Sequence, residues 1–374
     1  MKPVQATNAE VAAAALVSLP AMSPSRLRHA LSERDPEELW RDICASRSSI
    51  RELLVRGDVK HAAAAAREFN LDALSATLNA NSINVLTPSD HRYPEALRDD
   101  VDRPPVLFTR GEHSLLAGRV AAIVGTRRAT AAGRATAKEL AQELAAAGIT
   151  VLSGLALGID TAAHRGAMAV GSTVAVVGCG LDLCYPARHQ SIFDEICDEH
   201  LALSEWPPGT APAPFRFPMR NRLIAALSEV VIVVESGLTG GSLITAREAL
   251  DRGREVMAVP GNLQVSSSGG TNALIRDGAT PITSVDEVLR EFEVSRAVQN
   301  PPLTTPHMKG RAIEIAHELS HGSLTLDQLV QRLSVPIGEV VVAVGELLRL
   351  EIIFESNGWL ELSGSMLVSG KEHQ

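Results

Sequence analysis

Two hydrophobic periods divide the chain. Up to about residue 80, apolar residues recur at three- and four-residue spacing in AEVAAAALVSL, SRLRHALS, EELWRDICA and DVKHAAAAAREF, with Pro20, Pro24 and Pro36 as punctuation. That spacing predicts short amphipathic helices, and the absence of β-branched runs argues against strands. From about residue 83, short apolar runs alternate with longer helical stretches. The runs are VAAIV (120–124), TVL (150–152), TVAVV (173–177), EVVIVVE (229–235) and VMAV (256–259). Between them lie TAKELAQELAAAG, DTAAHRGAMAVG, LITAREALDRG and SVDEVLREF, the first three closing on Gly148, Gly171 and Gly253 as left-handed helix caps. Continuous apolar strands separated by helices predict a parallel sheet covered on both faces.

A polar, proline-rich stretch, RAVQNPPLTTPH, reads as a linker. After it, three helical patterns precede IIFE and WLEL, two strands around an Asn357-Gly358 turn, an order that describes a winged helix. The expected fold class is therefore α/β: an extended Rossmann-like parallel-sheet domain (83–295) with flanking modules. These are an N-terminal all-helical (SAM-like) domain (1–82) and, after a linker (296–307), a C-terminal winged-helix domain (308–374).

The 374 residues suit two or three domains, and no apolar run reaches the 18 residues that a membrane helix needs. The N-terminus lacks the pattern of a signal peptide, so a cytoplasmic location is expected. Cys44, Cys179, Cys184 and Cys197 are scattered, without metal-ligand or disulfide spacing. No cofactor is expected, since neither a P-loop nor a dinucleotide fingerprint is present.

The formal net charge is −9, which taken globally argues against a nucleic-acid partner. Its distribution argues the other way. No acid stands between Glu112 and Glu139, a stretch holding Arg119, Arg127, Arg128, Arg134 and Lys138. None stands between Glu205 and Glu229, which bracket Arg216, Arg220 and Arg222.

Three strand-to-helix turns and one further helix start carry the candidate chemistry. AAIVGTRRAT sets Gly125 at a strand end beside Arg127 and Arg128; the glycine serves turn geometry or phosphate approach, and the arginines favour phosphate. SGLALGID repeats the design with Ser153, Gly154 and Gly158, and its Asp160 and His164 share a helix face. They read as an N-cap carboxylate and a packed histidine, with an acid–base pair as the alternative. FRFPMRNR offers Arg220, Asn221 and Arg222 to phosphates, with Phe215, Phe217 or Trp206 to stack on bases. ESGLTGGS brings Gly240, Gly241 and Ser242 to another helix start. Turns at strand C-termini converge on one sheet edge, where open α/β folds bind ligands.

In order, the strings TPSDHRYPEALRDDVDRPPVLFTRG, VGTR, SGLALGIDTAAH, VGCGLDLCYP, LSEWPPGTAP, FPMRNRLIAALS, GGSLITAREAL, AVPG and GGTNALIRDGA resemble the DprA/Smf family of bacterial DNA-processing proteins, over about residues 84–290. The resemblance implies a non-enzymatic homodimer that binds and shields single-stranded DNA in natural transformation and loads the RecA recombinase. It also implies a DNA pocket of Gly125, Thr126, Arg127, Ser153, Gly154, Arg220, Asn221, Arg222, Gly241 and Ser242, to which the charge of Arg128 adds. Two positions depart from the family pattern: Leu157 replaces a frequent basic residue, and Thr239-Gly240 replaces Arg-Ser. Each removes a phosphate contact, so binding should rest more on Arg127, Arg128, Arg220 and Arg222. Four neutralised phosphates would give a slope of log K on log salt of about −2.8.

The helix in the recognition position of the C-terminal module carries Glu339, Glu346 and Glu351 against Arg349, which suits a protein partner or a structural cap better than a DNA groove. The competing class is a nucleotide-processing hydrolase of the lysine-decarboxylase-like (LOG) type. Those proteins resemble this chain in their glycine-rich sheet but use a PGGxGTxxE turn, and SGLTGGSLITARE lacks its spacing.

Overall fold

The computed structural model describes residues 5–19, 22–53, 59–292, 311–319, 324–350, 352–356 and 358–362. The linker expected at 296–307, Asn357 and Pro20 lie outside the described residues. The chain divides into two compact units, Met1–Ser295 and Arg296–Gln374.

The first unit opens with helices α1 (Asn8–Ser18), α2 (Pro24–Glu33), α3 (Pro36–Cys44), α4 (Val59–Glu68) and α5 (Leu71–Ala80). Pro24 and Pro36 are first residues of their helices, where a missing N–H costs nothing. Next come β1 (Asn84–Leu86), the single-turn α6 (Glu95–Arg98) and β2 (Leu107–Gly111). Strand and helix then alternate: β3 (Val120–Val124), α7 (Ala131–Ala146), β4 (Thr150–Ser153), α8 (Ile159–Met168), β5 (Thr173–Val176), α9 (Gln190–Glu199) and β6 (Leu201–Ser204). The series continues through α10 (Arg216–Leu227), β7 (Val230–Val233), α11 (Gly241–Leu250), β8 (Glu255–Ala258), α12 (Gly269–Arg276), β9 (Thr280–Pro281) and α13 (Val285–Glu291).

The strands form one sheet in the order β1-β2-β6-β5-β4-β3-β7-β8-β9. From β6 to β9 every pair is parallel; β2 runs antiparallel to β6, and β1 antiparallel to β2. Alternate side chains of β3 go to opposite layers, as the pleat requires. Ala121 and Ile123 pack with α7, α8 and α13, while Val120, Ala122 and Val124 pack with α10 and α11. The sequence pattern had not marked β1, β2 and β6. They are three to five residues long and make up the end of the sheet where the pairing turns antiparallel.

The N-terminal helices do not form a core of their own. Leu16, Leu39, Ile43 and Leu78 belong to one hydrophobic cluster with Val85, Phe108, Cys179 and Phe193, so the hydrophobic interior crosses the boundary expected at residue 82/83.

One cap differs from expectation. Gly148 and Gly253 have φ of +81° and +65°, but Gly171 is not left-handed. Its missing side chain lets the backbone approach α7, because a Cβ there would lie 2.7 Å from the Ala145 carbonyl oxygen. Gly166 of α8 has the same role more severely, at 2.1 Å from the Lys138 carbonyl oxygen. These two contacts align α7 and α8 side by side and parallel, both starting at the C-terminal edge of the sheet.

In the second unit, α14 (Arg311–Leu319), β10 (Leu324–Thr325), α15 (Leu326–Leu333) and α16 (Ile337–Arg349) precede β11 (Ile353–Ser356) and β12 (Trp359–Leu362). The strands form an antiparallel sheet ordered β10-β12-β11 over a core containing Ile315, Leu329, Val340, Leu347 and Leu360. Ser356 pairs with Trp359, which leaves the expected two-residue hairpin loop, and Gly358 has φ +81°.

Substituting Gly166 by alanine forces α7 and α8 apart. The variant is expected to lose about 2 kcal/mol of stability, as overpacked sites do, read as a lowered urea midpoint. An unchanged midpoint would mean that the two helices separate without cost.

Candidate functional site

The strands following β3 in sequence add to one side of it, and β7, β8 and β9 add to the other. The loops leaving β3 and β7 therefore diverge and open a crevice at the C-terminal edge of the sheet, the topological switch point. A cavity of about 400 Å³ occupies it. Gly125, Thr126 and Arg127 line it from the β3 loop, Phe217, Arg220 and Asn221 from α10, and Gly240, Gly241 and Ser242 from the start of α11. A smaller annex of about 50 Å³ lies between Arg127, Gly154, Leu157, Tyr185 and Phe217. No side chain caps the N-termini of α8, α10 or α11, whereas Thr130 caps α7 through Gly133 N at 2.9 Å. Helix starts present N–H groups and positive dipole ends to an anion.

Glycine at 125 answers to close packing: a Cβ would lie 2.5 Å from Ile159 and 2.9 Å from the Glu235 carbonyl oxygen. That carbonyl accepts the Thr126 N–H at 2.7 Å. The buried Glu235 carboxylate accepts the Thr130 N–H at 2.8 Å and its hydroxyl at 2.7 Å. One residue thus pins both ends of the loop that carries Arg127 and Arg128. Glu235 was not among the expected site residues; its signal is an acid closing the otherwise apolar run EVVIVVE. At the opposite end of the strands, Glu229 holds Arg119 at 2.8 Å and the Val120 N–H at 3.3 Å.

Arg127 is exposed, has no carboxylate partner among the described residues, and rests its guanidinium 4.9 Å from the centre of the Phe217 ring. Tyr185 lies 5.4 Å from the same ring. Alongside, Arg216 stacks over Trp206 at 4.8 Å and Phe215 at 5.2 Å. Tyr185 was also not foreseen, although an exposed aromatic beside a proline is a usable signal. Arg128 is exposed and likewise has no carboxylate partner among the described residues.

The other expected contacts sit differently. Ser153 is fully buried and donates its hydroxyl to the Ile123 carbonyl at 2.6 Å, so it ties β4 to β3. Arg220 borders the cavity but is buried, and it donates to the main-chain carbonyls of Gly154 (2.6 Å) and Val176. Burial lowers its pKa to about 10, with the nearby Asp160 carboxylate opposing the fall. Arg222 is absent from the lining and paired with Glu205, itself buried enough that its pKa is raised. Of the four arginines expected to carry phosphates, only Arg127 and Arg128 present free guanidinium groups.

Asp160 and His164 do not meet as an acid–base pair. Asp160 accepts the N–H groups of Gly154 (3.2 Å) and Ala156 (3.3 Å), which stabilises the loop before α8; the helix N-cap itself is Gly158. Burial raises the Asp160 pKa, with Arg220 opposing. His164 is completely buried and donates Nδ1–H to Thr173 Oγ1 at 2.7 Å, since the Thr173 hydroxyl itself donates to the Val151 carbonyl at 2.8 Å. Desolvation lowers its pKa to about 3. Glu248, the acid of SGLTGGSLITARE, pairs with Arg252 at 2.5 Å and does not line the crevice.

This is an open α/β-sheet protein with a crevice, walled by glycines and aromatics, at its switch point. The chain belongs to the DNA recombination-mediator protein A family, whose model matches residues 84–293, more than half its length. It is 42% identical over 224 residues to the DNA processing protein DprA of Bacillus subtilis, covering 59% of this chain and 75% of that protein. It is 36% identical over 286 residues to the protein Smf of Escherichia coli, covering 74% of each. The solved DNA processing protein A of Streptococcus pneumoniae superposes with a TM-score of 0.65 at 32% identity, over 78% of this chain and all of that one. That of Helicobacter pylori, described for its single-stranded DNA binding mode, gives 0.51 at 33% identity, over 56% of this chain and 95% of that one.

Two outcomes follow from the buried groups. A histidine whose folded pKa lies below its ordinary 6.5 leaves the folded state with fewer protons than the unfolded one. Its stabilising contribution is complete above pH 6.5 and is lost as the pH falls towards 3. In His164→Asn the decline of Tm between pH 6.5 and 4 should therefore be shallower than in the wild type; parallel curves would remove His164 as a cause. Glu235→Ala should speed amide exchange at Thr130 about tenfold or more, the loss of a charge-assisted hydrogen bond, and leave Thr126 little changed, because its N–H is held by the main-chain carbonyl that alanine keeps. Unchanged exchange at Thr130 would show that this end of the loop is held by something else.

Proposed function

We propose that the crevice binds single-stranded DNA, and that the chain acts without catalysis as a mediator of recombination in DNA uptake. The observation that carries the reading is the stacked set Arg127–Phe217–Tyr185 at the mouth of a cavity bordered by uncapped helix starts. Phosphates suit the free guanidinium groups and N–H donors, and bases suit the rings. Ring faces accept any base, so little sequence preference is expected. The proposed contacts are Gly125, Thr126, Arg127, Arg128, Asn221, Gly241 and Ser242, with Gly154 and Arg220 bordering the cavities; Ser153 is buried and supports β4 rather than touching the DNA strand. Arg222 stands outside the lining, held by Glu205. The H. pylori relative's binding of single-stranded DNA supports this reading.

The wider role extends from the family: the chain works as a cytoplasmic homodimer, shields incoming strands and delivers them to RecA. We read the second unit as a winged helix that serves a protein partner. Ile337, Val341 and Val342 stand exposed on α16, and Glu339 pairs with Arg311 at 3.2 Å.

The test is fluorescence anisotropy with a labelled oligo-dT at several salt concentrations. Wild-type affinity should fall with salt, and Arg127→Ala should bind more weakly, with a slope shallower by about 0.7. Phe217→Ala should lose about 1–3 kcal/mol with little change in slope. Binding indifferent to salt and to both substitutions would overturn the assignment.

A further inference from the structure

We propose that the paired outer faces of α7 and α8 carry a second stretch of the same strand's phosphate backbone, leading away from the crevice; this rests on reading the crevice as a single-stranded DNA site. Three exposed cations define the track: Arg134 and Lys138 on α7, and Arg165 on α8. Arg134 and Lys138 stand four residues apart and so share a helix face. The contact of Gly166 with the Lys138 carbonyl sets the neighbouring Arg165 beside Lys138 across the helix pair.

Both helices begin at the crevice. A Cβ on Gly158, just before α8, would lie 2.4 Å from the Thr126 carbonyl oxygen, and Arg127 and Arg128 stand in the loop before α7. At 1.5 Å of rise per residue, Lys138 lies about 10 Å along α7 from its first residue. The cations thus continue the line begun by Arg127 and Arg128 and descend along the helices.

What distinguishes this face from an ordinary solvated surface is the absence of partners. In a chain with 44 acids against 35 basic residues, none of these cations has a carboxylate partner among the described residues. Arg134 makes one bond, to its own chain at the Ala129 carbonyl. Glu139 follows Lys138 directly and therefore points away from it around the helix. Exposed guanidinium and ammonium groups without acids suit a flexible polyanion, which gains by releasing counterions at each contact.

The experiment compares oligo-dT of about three nucleotides, which at about 3.4 Å per nucleotide stays near the crevice, with one of about twenty, which extends beyond it. The full-length triple variant Arg134→Ala/Lys138→Ala/Arg165→Ala should bind the short strand as the wild type does. For the long strand it should bind more weakly, with a salt slope shallower by about two. A control, Arg41→Ala/Lys60→Ala/Arg290→Ala, removes the same charge elsewhere and should leave both strands unaffected. The proposal is overturned if the triple variant binds the long strand normally, if it weakens both lengths equally, or if the control matches it. Arg127→Ala separates the two readings. Its failure to weaken the short strand refutes the crevice, while the long-strand result still decides the helix faces.

Discussion

The pairing of β3 with β7 is the constraint on which the rest depends. The two strands come from parts of the chain more than a hundred residues apart, yet they lie in register from Ala121–Val230 to Val124–Val233. An acid at each end of EVVIVVE fastens them: Glu229 to Arg119 below, and Glu235 to the Thr126–Thr130 loop above. Because the chain turns in opposite directions on leaving these neighbours, a crevice is a necessity of the topology. The helix starts and aromatic rings occupy a space that the strand order has already opened.

Legibility from sequence followed physical range. The strands buried on both faces were readable because each needs an unbroken apolar run, and the C-terminal hairpin because its turn needs glycine. The edge strand β1 is not, since three residues with no period look like any loop, and the fully buried LALS of β6 shows that burial alone does not make a strand readable. The arginines show a sharper limit. An acid-free window in sequence does not make an acid-free region in space, because Glu205, which bounds that window, closes on Arg222. Arg220 was lost to the interior because Gly154 and Val176 offer carbonyls no spacing argument reveals. Local chemistry was readable; which local group would be consumed by a distant partner was not.

The same distinction explains how an acidic chain can keep a basic face. Net charge sums over groups that the fold has already paired. Arg92, Arg110, Arg119, Arg222 and Arg252 all hold carboxylates, and their contribution to the long-range field is largely cancelled. Around the β3 loop and the outer faces of α7 and α8 the cations are left over. Ligand attraction is governed by that local remainder, which the polar composition of the whole molecule conceals.

Arg127 illustrates a last consequence, one of entropy. A free arginine side chain loses up to about 2 kcal/mol of rotamer freedom when a ligand immobilises it. Here the Phe217 ring already supports the guanidinium, and Tyr185 supports the ring. Much of the ordering has therefore taken place during folding, before any ligand arrives. An anionic ligand at this position would meet a charge already in place, so less of the interaction would go into arresting a moving side chain.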